Sequence, residues 1–220
     1  MNLVSAIIML VVLIYSAILH EIAHGLAAER LGDPTARLAG RLTLNPKNHI
    51  DPFMSILLPL LLVLSGSPVI FGAAKPVPVD AFNLRDGRKD IALVSLAGPL
   101  TNVLLAVFSA LVIKLILILS PVLGVAGSES VILQFVLQFL FIVVQINILL
   151  AIFNLIPIPP LDGSKIFALL LPEKEAAVYL SLGTMGFIII LFLLLIPVGG
   201  FSLNSLIFNL LTFSEHLLGL

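Results

Sequence analysis

The sequence predicts an all-α polytopic membrane protein with about five to six transmembrane helices, a re-entrant segment and a small membrane-associated β-hairpin. Three observations predict it. Of 220 residues, 60% are hydrophobic and 10% charged, against about 25% charged in soluble domains. Five stretches, roughly 2–28, 91–119, 131–156, 176–196 and 201–219, reach or approach the ~20 apolar residues that a helix needs to span hydrocarbon. Eight of the eleven Lys and Arg fall between residues 30 and 89, an asymmetry typical of one face of a membrane protein.

The first stretch carries no charged residue from Asn2 to Leu19. It has no basic leader and no small-x-small cleavage site, so it reads as a membrane helix and not as a signal peptide. Residues 30–52 are polar and break at Gly32-Asp33-Pro34, and the alternation of Ala36–Leu44 suggests short strands beside the membrane. Phe53–Leu64 is twelve apolar or small residues, a length that suits a re-entrant helix better than a span. If Phe53–Ala74 turns back, ten of the eleven basic residues share one face, which the positive-inside rule assigns to the cytoplasm. Lys114 is the exception and is expected to snorkel toward the outer interface. Gly98-Pro99 should loosen the span 91–119, and Pro157 and Pro159 should unwind the end of the span 131–156. Pro197-Val198-Gly199-Gly200 separates the last two stretches. The chain reads as one integral-membrane domain over 1–220, with a core of about 1–170 and C-terminal helices over about 174–219.

Composition also excludes functions. A net charge of −1 gives no footprint for nucleic acid. With no cysteine there is no disulfide, thiolate metal site or thiol nucleophile. Any metal must be held by His, Asp or Glu.

The residues for such a site follow the first apolar run. His20-Glu21-Ile22-Ala23-His24 places two imidazoles four residues apart on one helix face, able to grip a single ion, with Glu21 beside them. Four His and twelve acids in 220 residues would give H-E-x-x-H only about 0.004 times by chance. Charged groups near the hydrocarbon core cost roughly 2.5–3.5 kcal/mol each, so they are seldom idle there. A catalytic zinc site takes three protein ligands and leaves one position open. Asp162, just after the proline-broken end of the third apolar stretch and next to Gly163, is the best third ligand; its other reading is a helix N-cap.

These residues resemble the site-2 protease family of intramembrane zinc metalloproteases. The resemblance rests on HEIAH and on Asn154-Leu-Ile-Pro-Ile-Pro-Pro-Leu-Asp-Gly163. It also covers Ala73-Ala-Lys-Pro-Val-Pro-Val79 and Ser95-Leu-Ala-Gly-Pro-Leu-Thr-Asn102. It extends over roughly residues 10–170 and is strongest to short bacterial and archaeal members without an inserted PDZ domain. It implies one Zn2+ per chain held by His20, His24 and Asp162, with Glu21 as general base. It further suggests that Asn102 and Asn154 contact substrate or the tetrahedral intermediate, although each could instead bridge helices.

The expected activity is hydrolysis of peptide bonds in or near transmembrane segments of membrane-protein substrates. The protein would be multi-pass and integral to the cell membrane, its site near the cytoplasmic side, with the lipid bilayer as its solvent. The competing reading is a membrane metal transporter or metal-binding protein using the same ligands. Transport would need polar groups at several depths, whereas here they cluster near one side. An unwound substrate would need a strand partner. Val69–Val79 is favoured for this over Ile156–Leu161, because prolines 157, 159 and 160 cannot donate.

Overall fold

The protein is described by a computed structural model covering residues 3–51, 57, 74–122, 130–197, 199–200 and 202–220. The chain divides into two compact units, Met1–Leu13 with Pro99–Leu220 and Ile14–Gly98.

Apolar runs become long helices. They are α1 (Leu3–Leu31), α3 (Gly87–Val122) and α4 (Val131–Asn154), with a short α2 (Thr35–Leu38) between the first two. These three long helices are apolar and long enough to cross a membrane. Their large side chains are widely exposed, including Ile7, Leu10, Leu104, Phe108, Leu111 and Phe135. Such faces are stable against lipid, not water. α5 (Asp162–Phe167), α6 (Glu173–Ser181), α7 (Gly183–Leu195) and α8 (Leu203–Leu218) complete the series.

Several expectations are corrected. The stretch 176–196 is two helices bent by 67°, broken where Gly183 takes a φ of +35°. α8 has 16 residues, or about 24 Å of helix, short of the ~30 Å hydrocarbon core. α3 runs unbroken through Gly98 and Pro99. No strand occurs among the described residues, and Ala36–Leu44 begins as the helical turn α2. The cause is local: Asp33 Oδ1 accepts from the Thr35 N–H at 3.1 Å and from the Thr35 hydroxyl, and Pro34 pre-sets the backbone, so an Asx turn starts a helix. The expected re-entrant run 53–74 lies, except for Leu57 and Ala74, outside the described residues.

Within the 14–98 unit, Ala28, Leu84 and Val94 form a small core with Ala27, Leu31 and Ile91. Gly25 lets the following segment lie on α1: a Cβ there would stand 2.6 Å from Leu42 and 2.9 Å from Ala36. Residues 75–80 are fixed along their length by hydrogen bonds. Lys75 N–H donates to His49 O at 2.8 Å. Arg41 Nη2 donates to the Lys75 and Pro76 carbonyls at 2.6 and 3.2 Å. Asp80 N–H and Asn83 Nδ2 donate to the Asp33 carboxylate at 2.7 and 3.0 Å.

In the other unit, Ala106, Ala110 and Ile113 of α3 pack with Val144 and Ile148 of α4 and with Leu211 and Leu218 of α8. Small alanines permit this close helix approach. A second cluster, Ile190, Leu203 and Ile207, meets Ile156, Ile158 and Leu161 from the proline-rich segment before Asp162. Lys114 Nζ lies 2.8 Å from where a Cβ of Gly219 would stand, at the C-terminal turn of α8 where a cation meets the negative end of a helix.

Candidate metal centre

Within the 14–98 unit, HEIAH occupies consecutive turns of α1, and both imidazoles are buried. Their Nε2 atoms are 3.0 Å apart, and the rings meet edge to face with centroids at 4.6 Å. His24 Nδ1 lies 2.7 Å from Val94 O. A carbonyl only accepts, so Nδ1 carries the proton and Nε2 of His24 keeps its lone pair, aimed at His20. This backbone anchor is the outer-shell contact that usually fixes a metal-binding histidine. Two nitrogens bound to tetrahedral zinc at 2.0–2.1 Å would stand about 3.3 Å apart. The pair therefore fits zinc after a shift of a few tenths of an ångström.

Gly98 of α3 closes this pair from one side. A Cβ there would lie 2.5 Å from His24 Nε2 and 2.6 Å from His20 Nε2. Only a residue without a side chain lets α3 approach the imidazoles so closely. Glu21, next in sequence, is half-buried, and its Oε2 accepts the Val77 N–H at 2.7 Å. One carboxylate oxygen is thus fixed by the 75–80 segment.

The remaining candidates belong to the other unit. Asp162 is buried in the first turn of α5. It does not cap that helix, since Leu161 occupies the N-cap position. Lys165 Nζ approaches its Oδ1 at 3.2 Å. Gly163 gives room for the segment to fold back, because a Cβ there would collide with the Leu155 carbonyl. Asn102 is fully buried and donates to Asn147 Oδ1 at 2.8 Å, while Asn147 Nδ2 donates to Val143 O. Asn154 donates to Leu150 O one turn earlier in α4. One amide hydrogen of Asn102 thus bridges α3 to α4, and one of Asn154 is spent in its own helix.

Sequence reasoning missed four contributors. Asn147 carried a signal, being an amide inside an otherwise apolar run. Asp33 carried a weaker one in the Asp-x-Thr spacing of an Asx turn. Val77 acts through its main chain and Gly98 through a missing side chain, so neither announces itself as chemistry.

A buried imidazole pair with a carboxylate beside it, carried on an apolar helix of membrane-spanning length, defines a zinc metalloprotease integral to a membrane. Comparison with known proteins agrees. The family model described as "Peptidase family M50" matches residues 6–119 and 116–197. "Putative zinc metalloprotease YwhC" of Bacillus subtilis is 37% identical over 195 residues, covering 89% of this chain and 83% of that protein. "Putative zinc metalloprotease Rip2" of Mycobacterium tuberculosis is 34% identical over 163 residues, 74% of this chain and 57% of that protein. Rip2 of Mycolicibacterium smegmatis is 32% identical over 196 residues, 89% of this chain and 68% of that protein. No solved structure matches. The chain belongs to peptidase family M50, the site-2 protease family.

Proposed function

We propose that this zinc metalloprotease is an intramembrane endopeptidase that cuts peptide bonds in or near transmembrane segments of other membrane proteins. One Zn2+ per chain is held by His20, His24 and Asp162. The observation that carries this reading is the imidazole pair, with its 3.0 Å separation and its tautomer set by Val94 O. The buried carboxylate of Asp162, not spent on capping its own helix, supports it as third ligand.

When bound, zinc would polarise the substrate carbonyl and bring the pKa of its water to about 7. Glu21 takes the proton from the nucleophilic water and returns it to the leaving amine. With Oε2 held by Val77 N–H, the other oxygen is the one that handles the proton. Asn102 and Asn154 are assigned to the substrate carbonyl or the developing oxyanion.

The site faces the cytoplasm in a multi-pass arrangement of three spans among the described residues, or four if the bent pair α6 and α7 crosses as one. This topology is supported by the hydrogen bond between His49 O and Lys75 N–H. The chain between them leaves and returns at adjacent points, as it must if residues 53–74 do not cross.

The test compares wild type with Glu21→Gln, both reconstituted with a single-span substrate, measuring zinc content and cleavage. The variant should keep its zinc and lose about 10²–10⁴-fold in rate. Undiminished cleavage would remove Glu21 from the mechanism.

A further inference from the structure

We propose that a basic cleft in the 14–98 unit is a subsite for a carboxylate side chain of the peptide being cut, selecting substrates with Asp or Glu beside the scissile region. The inference rests on the proteolytic reading above and names a substrate class for it. The cleft encloses about 510 Å³, and Arg41, Lys47, Asn48, Lys75, Pro76 and Pro78 are among its lining. Three of its lining residues are cations and none is an acid. Other cations of the chain do have carboxylate partners: Arg37 pairs with Glu29, Lys89 with Asp86 and Lys165 with Asp162. Lys47 and Lys75 pair with no acid among the described residues.

Arg41 marks the cleft as built for an anion. Its side chain is buried, with 7% of its surface exposed. Nη2 is spent on the Lys75 and Pro76 carbonyls, yet Nε is buried without an acceptor among the described residues. A buried charged donor left unpaired is costly, so the guanidinium, which lines the cleft, gains a charge-assisted bond by turning toward an incoming carboxylate.

The position of the cleft ties it to peptide chemistry. Pro76 and Pro78 flank Val77, whose N–H holds Glu21. The cleft therefore adjoins the segment that orients the base. A peptide bound beside Glu21 would pass its flanking side chains over these cations. Membrane segments ordinarily carry Lys or Arg at their cytoplasmic ends. Three cations repel that common flank and attract the rarer acidic one, giving selection by repulsion as well as attraction. A lipid phosphate could meet the same charges, but a headgroup site has no reason to adjoin the catalytic segment.

The test uses zinc-loaded protein in zwitterionic vesicles with three single-span peptides whose juxtamembrane position is Glu, Gln or Lys. kcat/KM should fall in that order, with the Glu and Lys peptides about tenfold apart. The spread should narrow at about 1 M salt, where the Debye length is about 3 Å. Lys47→Glu with Lys75→Glu, both exposed positions, should reverse the order. Binding of the same peptides to the Glu21→Gln protein should follow the wild-type order. Ordered binding without any cleavage would preserve the subsite and remove the protease reading. Equal cleavage and binding of all three peptides, unchanged by charge reversal, would overturn the subsite. So would equal cleavage that rises on adding anionic lipid, which would assign the cations to a headgroup.

Discussion

At Gly98 the place of a side chain is taken by two imidazoles. Replacing it with alanine sets a Cβ 2.5 Å from His24 Nε2 and 2.6 Å from His20 Nε2, and a ring held by Val94 O cannot yield without breaking that bond. Gly98→Ala should therefore weaken zinc binding by about 10–100-fold, the usual effect of disturbing a metal ligand's support. Helix content should be preserved, because alanine favours helix over glycine. Metal titration alongside circular dichroism checks this; full zinc affinity would show that α3 can move away from the rings. His20, Glu21 and His24 were legible because helix geometry alone sets the i, i+4 spacing. Gly98 was read as a helix loosener inside a family-like stretch and not as part of the metal site, since a sequence cannot show what stands where a side chain is missing.

Among the elements, the segment 75–80 matters more than its lack of regular structure suggests. It was expected to form part of a strand partner for unwound substrate. Two of its amides, Lys75 and Val77, instead donate to His49 and Glu21, and Pro76 and Pro78 have none. Strand addition there would have to use carbonyls or displace an existing bond. Asp33 holds the far end of this segment. Burial works to raise its pKa, but hydrogen bonds from Thr35, Asn83 and Asp80 outweigh that and hold the carboxyl below its ordinary value. A depressed carboxyl pKa stabilises the fold fully above about pH 4 and loses that contribution as pH falls through the folded value. Asp33→Asn should thus cost about 1–3 kcal/mol at neutral pH. The gap from wild type should shrink on acidification below about pH 4. Unfolding in detergent across this range measures it, and a gap that persists unchanged would show that the charge of Asp33 is unimportant. The helices were legible because long apolar runs admit little else in a bilayer. Ala36–Leu44 was not, because an alternating pattern is a tertiary signal and the Asx turn at Asp33 overrode it locally.

For the whole molecule, the sidedness of the polar segments can be read by chemical labelling, and a chain without cysteine makes the experiment clean. Lys47→Cys and Asp86→Cys should be labelled from the same side by a membrane-impermeant maleimide, because His49 and Lys75 are hydrogen-bonded to each other. Labelling from opposite sides would refute the re-entrant topology. The number of spans was not legible beyond three helices, since the bend at Gly183 and the brevity of α8 depend on packing and not on composition. The imidazole pair also has a consequence for which ions the protein admits from its surroundings. With α3 against it and a carbonyl behind it, the 3.0 Å opening between the nitrogens cannot widen freely. Calcium, which binds oxygen at 2.3–2.6 Å and prefers six to eight ligands, would find too few donors and donors of the wrong kind. Donor chemistry therefore acts as the filter, and abundant alkaline-earth ions, which favour oxygen, gain little from a pair of imidazole nitrogens.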